Sequence, residues 1–461
     1  MDKLIKNRTY RLTIEGYTSD GSGIARADGF VVFVPFSARG DVLDVKIVKV
    51  LKTHAFGVIE QVIEPSGARI EPVCKAFPRC GGCDFLHLSY SEELSLKQQR
   101  VQDCLRRLGG FELELEPIEP SPEVHRARNK AQFPVESRDG QVVYGFYRRR
   151  SHQVIPTRDC LLNHPNASLL AQAVADWAQK YNIPIYDEEK HSGLLRRIYT
   201  RHGKDADHLC IVATQKKLPH AEQLIELCKN ACPTLTGVTV NVNNKQTNLI
   251  LGEKCFALWG ESALHDDLLG KEFMLSPLSF YQVNHPQAEN LYRKIIELCD
   301  LDKTCDALDL CCGVGTITLS LADTCRKVVG AEIVQRAIDD AQINAKNNGV
   351  TNAEFICADA GDAALQLKEK GFAPYAVVLD PPRKGLDTRS LDAVLRMNPE
   401  KIVYVACDPS SLARDGRYLC DRGYEMVYAK AYDMFPRTAN VESVALLVRT
   451  DSTTKFALAG K

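Results

Sequence analysis

The chain has 461 residues, 45% apolar and 25% charged, with 58 lysines and arginines against 59 aspartates and glutamates. That is the composition of a globular chain of about two to four domains, and it excludes wholesale disorder, a collagen-like repeat and, at a net charge of −1, any global attraction to nucleic acid. No apolar run of about 18 uncharged residues is present, so no spanning helix is expected, and the opening residues MDKLIKNRTYRLTIEGY lack the apolar stretch of a secretory signal.

Residues 9–63 read as short β segments broken by turns: Tyr10–Ile14, Phe30–Val34, Asp41–Val48 and Ala55–Ile59, with a glycine-rich turn at 19–23. Alternating apolar and β-branched residues at this spacing suit a small barrel or, equally, a generic β domain. A dense cysteine segment follows at 74–83. Ser89 and Glu92 stand at capping-box spacing before a helix over 91–108, which Gly109 and Gly110 end. Residues 122–270 are mixed, with strands such as 130–135 and 209–213 and helices over 167–181 and 219–230.

Within this mixed region, residues 121–150 hold seven basic side chains, among them Arg126, Arg128, Lys130 and Arg148, against three acidic ones, a net charge of +4. Phe133, Tyr144, Phe146 and Tyr147 interleave with the charge. Such a mixture can neutralise phosphates and stack unpaired bases, or it can be a solvated face. Arg196 and Arg197 extend the strip.

From about residue 304 the rhythm changes. Apolar strands at 306–310, 327–331, 354–357, 375–379 and 401–405 alternate with helical stretches, the pattern of a doubly wound α/β domain. Two final strands, 424–432 and 441–449, have no helix between them and are expected to pair antiparallel at an edge.

The first strand of that domain runs into Asp309-Leu-Cys-Cys-Gly-Val-Gly-Thr316, whose glycines 313 and 315 let backbone approach a ligand. Glu332 ends the second strand, where a carboxylate accepts from ribose hydroxyls. Thr318 stands where a dinucleotide fingerprint has its third glycine, so a pyrophosphate is poorly served. S-adenosylmethionine, with ribose and adenine but no phosphate, fits better. Asp380-Pro-Pro-Arg-Lys-Gly385 and Ala406-Cys-Asp-Pro409 close the fourth and fifth strands. Ligands of open α/β sheets bind outside the carboxyl ends of strands, which sets Gly313, Glu332, Asp380 and Cys407 along one rim.

At these residues the chain resembles the RNA uracil-5-methyltransferase family, through Phe280-Tyr-Gln-Val-Asn284, Asp309-Leu-Cys-Cys-Gly-Val-Gly, Asp380-Pro-Pro-Arg-Lys-Gly, Cys407-Asp-Pro and Asn440-Val-Glu442. The resemblance implies an OB-like TRAM barrel at 1–62 and a mixed α+β central domain at 63–90 and 120–270. It further implies a Rossmann-like methyltransferase domain at 91–119 and 271–461. Carried over by position, Cys407 is the nucleophile and Glu442 the general base, while Gln282, Cys311, Glu332 and Asp380 line the S-adenosylmethionine site, with Thr316 and Asp359 beside them. The Ser-Cys-Asn-Pro form common in the family reads Ala406-Cys407-Asp408-Pro409 here, and Asn440 replaces a histidine. A carboxylate at Asp408 would oppose thiolate formation if it faced Cys407. Cys407 itself is expected half-exposed and beside cations, with Arg383 and Lys384 as candidates.

The count of 17 cysteines is odd and far under the roughly 8–10% of a disulfide scaffold, so metal ligands, nucleophiles and buried thiols are expected rather than pairs. Cys74, Cys80 and Cys83 need a fourth partner, and the resemblance offers Cys160 and a [4Fe–4S] cluster. From spacing alone a zinc site stays open. The Cys-x3-Cys-x2-Cys motif of radical S-adenosylmethionine enzymes is absent. The expectation is therefore a monomeric, cytoplasmic enzyme, without membrane contact, that forms 5-methyluridine in structured RNA. The resemblance favours 23S ribosomal RNA over transfer RNA. An NAD-dependent oxidoreductase would use the same sheet, but the missing third glycine and the Cys407/Glu442 pair count against it, and a non-catalytic RNA-binding or assembly factor would not need Cys407.

Overall fold

The computed structural model describes residues 4–27 and 29–451; the ends of the first and last expected domains, 1–3 and 452–461, lie outside the described residues. Four sheets organise the described residues, of six, seven, two and eight strands. Among the described residues no helix is long and apolar enough to cross a membrane.

The six-stranded sheet spans Thr9–Glu64. Its closure depends on one bent segment. Thr9–Thr13 pairs with Val42–Val50, whereas Gly16–Tyr17, just past the bend, pairs with Gly23–Ala27. The sheet thus curls into the expected OB-like barrel around Leu12, Ile14, Val32, Val34, Leu43, Val45 and Ile47. The helix Tyr90–Arg107 begins where Ser89 Oγ accepts from the amide of Glu92 at 3.3 Å. Only half of the capping box forms, because the Glu92 carboxylate turns to Arg39 at 3.0 Å instead.

The seven-stranded sheet is the mixed central region. Its strands Lys130–Arg138, Leu195–His202 and Asp207–Ala213 bury one face under the helices Pro165–Lys180 and Ala221–Ala231.

The eight-stranded sheet carries the α/β domain. Strands Ala353–Cys357, Lys327–Glu332, Asp306–Leu310, Ala376–Leu379 and Lys401–Ala406 run parallel in that order. Helices cover both faces, over cores that include Leu308, Val329, Val377 and Tyr404 on one side and Ala307, Val328, Val378 and Val403 on the other. The last two strands are antiparallel, as expected, but they are not the edge. Glu442–Arg449 inserts between Lys401–Ala406 and Tyr424–Tyr432, and Glu116–Glu119 adds outside in parallel. Four residues, one of them proline, give no periodic signal, and a short proline-bearing strand is tolerated at an edge. Lys430 holds it by bonding Glu119 at 2.8 Å.

Candidate active site and four-cysteine site

Strand register brings Cys407 and Glu442 together. Ala406 and Ser443 are the terminal pair of their antiparallel ladder, and the Ser443 hydroxyl donates to the Ala406 carbonyl at 3.0 Å. The next residues on each side are Cys407, half-buried, and Glu442, 2% exposed. Burial, Glu442 and Asp380 push the Cys407 thiol up to about 11, and Arg383 pulls it down. Glu442 is itself raised well above the usual carboxylate range, by burial and by Asp380. The expected electropositive setting is thus only partly met: Arg383 is near, but two carboxylates oppose it. Lys384 lies in the neighbouring cleft and does not bear on the thiol. Nor does Asp408, whose carboxylate caps the following helix through Ser410 at 3.0 Å and faces Arg100 at 3.9 Å.

The cleft beside this pair has a volume of about 420 Å³ and is lined by Cys311, Glu332, Ile333 and Asp359 among others. Cys311, Gly313 and Gly315 all take left-handed φ, at 70°, 56° and 85°, so the loop turns its backbone toward the cleft. Glu332 accepts from the amides of Gly313 at 3.3 Å and Val334 at 3.0 Å, which fixes its carboxylate at the strand end. Asp359 caps the next helix through the Gly361 amide at 3.0 Å. Ile333 is 65% exposed at the cleft, an apolar surface a flat base can cover. Asp380, Thr316 and Gln282 do not line this cleft. Asp380 lies at the strand end between Cys311 and Cys407, raising both thiols, and burial lifts its own carboxyl to about 6. Thr316 is buried against the Tyr292 hydroxyl at 3.2 Å. Gln282 is buried, its carbonyl accepting from Asn129 Nδ2 at 3.0 Å, in a segment whose Asn284 bonds the Met434 carbonyl at 3.2 Å.

Sequence reasoning missed Asp309. Fully buried beneath the loop, it accepts from Thr318 Oγ1 at 2.6 Å, leaves Oδ1 without a partner, and is lifted to about 7 by burial. The missing third glycine is therefore the residue that holds this carboxyl. Asn440 also has a part: its Oδ1 accepts from Arg383 Nη2 at 3.4 Å.

Cys74, Cys80, Cys83 and Cys160 line one cavity of about 70 Å³, with Phe77, Leu86, Phe146 and Arg128 among the other walls. No disulfide joins them. Burial raises the thiols of Cys80, Cys83 and Cys160, and neighbouring thiols of the group add to it: Cys160 and Cys74 on Cys80, Cys160, Cys80 and Cys74 on Cys83, and Cys74 on Cys160. Amide hydrogens already point at sulfur: Gly82 onto Cys80 at 3.4 Å, Leu162 and Asn163 onto Cys160. Cationic Arg128 acts on Cys83 and Cys160. This donor set fits a group that takes up four thiolates and their negative charge.

The basic strip divides. Arg126 is committed to Asp159 at 2.6 Å and the Cys160 carbonyl at 3.0 Å, and so braces the cysteine loop. Phe133 and Tyr144 are buried in the central core and cannot stack bases, and Phe146 faces the cysteine cavity. Lys130 sits directly across from Arg201 in the sheet, and burial with Arg201 and Arg128 lowers its ammonium to about 8. Arg148 is exposed. With Arg149, Arg150, Arg79 and Lys49 it lines a groove of about 940 Å³ between the barrel and the cysteine loop, walled by Phe36 and Phe56.

Residues 269–450 match the family model of tRNA (uracil-5-)-methyltransferases, and residues 3–59 that of the TRAM domain. An uncharacterised RNA methyltransferase of Clostridium tetani is 40% identical over 96% of either chain. Another, from Halalkalibacterium halodurans, is 41% identical over 96% of this chain and 97% of its own. Among solved structures, the tRNA (uracil-54, C5)-methyltransferase of Pyrococcus abyssi, in complex with S-adenosyl-L-homocysteine, superposes with a TM-score of 0.77. It is 28% identical, with 95% of this chain and 100% of that one covered.

Proposed function

The chain belongs to the tRNA (uracil-5-)-methyltransferase family of S-adenosylmethionine-dependent RNA methyltransferases, and from that premise we propose that it forms 5-methyluridine in structured RNA through a covalent bond from Cys407. The observation that carries this reading is the juxtaposition of a half-buried thiol and a buried carboxylate, Cys407 and Glu442, at the strand ends beside the cofactor cleft.

Uracil C5 is a weak carbon nucleophile. The Cys407 sulfur adds to C6, and the π electrons of the 5,6 bond move toward C5 and O4 as an enolate. S-adenosylmethionine, when bound, would supply the electrophilic methyl carbon that C5 takes, leaving as S-adenosylhomocysteine with the electron pair of the sulfur–methyl bond, and its sulfonium charge would favour the ionised forms of the surrounding carboxyls and thiol. Glu442 then removes the C5 proton, the electron pair restores the 5,6 double bond, and the C6–sulfur bond breaks to return the Cys407 thiolate. Arg383, held by Asn440, stabilises that thiolate. Cys311, Glu332, Asp359 and Asp380 would hold the nucleoside and sulfonium ends of the cofactor, with Thr316 and Gln282 supporting the loop and the substrate side. The uridine must be splayed out to expose C6. Lys49, Arg79, Arg128, Lys130 and Arg148 are the cations we assign to RNA.

Cys74, Cys80, Cys83 and Cys160 would hold a [4Fe–4S] cluster. The resemblance and the four thiols around one cavity, with amides and Arg128 aimed at sulfur, support the cluster, in a structural role, since methyl transfer moves no net electron.

We assign 23S ribosomal RNA as the substrate of a monomeric, cytoplasmic enzyme, on the resemblance of nearly the whole chain to that branch. Transfer RNA is the second reading, because the Pyrococcus relative acts on uridine 54 of tRNA. Nucleoside analysis of ribosomal and transfer RNA, each incubated with the protein and S-adenosylmethionine, decides between them. 5-Methyluridine in neither would contradict the function.

A further inference from the structure

The cysteine loop does not end at its ligands. Asp84, immediately after Cys83, accepts from the amide of Ala439 with Oδ2 at 2.8 Å, while its own amide and that of Phe85 donate to the Arg437 carbonyl at 2.8 and 3.2 Å. Arg437 is in the left-handed region, φ 66°, which turns that carbonyl toward the loop. Phe85, wholly buried, belongs to a small cluster with Ala38 of the barrel and Leu96 of the helix Tyr90–Arg107, and Ala439 packs on it. On its other side Asp84 pairs with Arg149, whose guanidinium also reaches the Cys83 carbonyl at 2.9 Å.

Segment 433–440 is pinned along its remaining length by a buried charge network. Lys97 bridges Glu93 and Asp433, all three fully buried, and Glu93 accepts from the Arg437 amide at 2.7 Å. Arg100 bonds the Ala439 carbonyl at 2.6 Å. Asn440 and Glu442 follow directly. The amide of Ala439 is thus one of several tethers here, beside Arg100 on the Ala439 carbonyl, Arg383 on Asn440 and the pairing of Glu442 with Tyr432, and it is the one whose acceptor comes from the cysteine loop.

We propose that Asp84 is a positioning residue for Glu442, tying the four-cysteine loop to the segment that delivers the base, so that loss of the group held by the cysteines displaces Glu442. The proposal rests on Glu442 being the base. Removal of one buried hydrogen bond changes a rate or an opening equilibrium by about ten- to a hundredfold.

The test uses protein reconstituted with iron and sulfide. Hydrogen exchange of the peptide covering 436–442 is measured for wild type, Asp84→Ala, Asp84→Asn and wild type stripped by chelator. Exchange at Ala439 is expected to quicken about tenfold or more in Asp84→Ala and after stripping. Asp84→Asn, which keeps an acceptor oxygen, stays near wild type. In parallel, Asp84→Ala should accumulate a denaturation-resistant adduct with methylated RNA, because proton removal from C5 slows after the methyl group has moved. A merely structural role would lower all steps together. Unchanged exchange in the stripped protein, or no excess adduct in a folded Asp84→Ala, overturns the proposal. If Asp84→Ala does not fold, the stripped protein and Asp84→Asn decide. Absence of adduct and methyl transfer in wild type counts against the reaction itself, and the exchange measurement still decides the tether.

Discussion

Arg383 donates to Asn440 Oδ1 from 3.4 Å, and this contact between two loops sets a guanidinium beside the Cys407 thiol and Glu442. It acts on the thiol against burial and two carboxylates. The free protein should therefore alkylate slowly at Cys407 near neutral pH, with a rate that climbs toward a midpoint of about 11. Arg383→Ala should slow alkylation at pH 9, because the thiolate loses the cation that favours it. Rates of iodoacetamide labelling at Cys407 against pH check this, and an unchanged profile would show that Arg383 does not reach the thiolate.

Asp309, Glu332, Asp380 and Glu442 lie at or next to strand ends along one rim of the eight-stranded sheet, and the first and third are held at about 7 and about 6 by burial. The other groups facing them include Cys311, Cys312, Cys299, Cys407, Tyr292, Asp359 and Arg383. A cation favours the ionised forms, so S-adenosylmethionine should bind with release of protons, and more tightly as pH rises through about 6 to 7. S-adenosylhomocysteine has no sulfonium and should release fewer. Calorimetry in two buffers of different ionisation enthalpy measures the difference. Equal release for both ligands would remove the carboxylates from the sulfonium's surroundings.

The same burial has a cost for the fold. Asp309 titrates at about 7 in the folded chain, against 3.8 for an aspartate free in water. An unfolded chain therefore loses this proton first, and stability falls as pH climbs from about 4 to 7. Asp309→Asn should leave stability at pH 4 almost unchanged and raise it at pH 8, by at most about 4 kcal/mol. Urea unfolding at the two pH values checks the sign, and an equal effect at both would show that ionisation of Asp309 is not responsible.

Much of this was legible before the structure. The period of the α/β strands, the barrel segments and the rim of Gly313, Glu332, Asp380 and Cys407 follow from local pattern and from the rule that ligands sit at strand ends. What stayed hidden depends on register and on contacts far apart in sequence. Nothing local in Glu116–Glu119 marks it as a strand, because its pairing with Tyr424–Tyr432 supplies the order. Phe133 and Tyr144 carry the same composition signal as exposed stacking residues, and only the helices packed over them make them core. Asp309 and Thr318 are nine residues apart, and their bond appears once the helix folds back over the strand.

The four cysteines make a prediction of their own. Anaerobic reconstitution should load about four irons and four sulfides per chain, with visible absorbance, and Cys80→Ser should lose them. Serine at the exposed Cys357 should leave loading intact. A protein that instead takes one zinc per chain, with no iron–sulfur absorbance, would assign the cavity to zinc.

The central claim is that Cys407 forms the bond to the uridine. Labelled methyl transfer from S-adenosylmethionine to RNA, compared between wild type and Cys407→Ala at equal cofactor binding, tests it most directly. The account predicts labelled 5-methyluridine from wild type and a rate lower by at least about a thousandfold in the alanine variant. Methyl transfer by Cys407→Ala at the wild-type rate would contradict it.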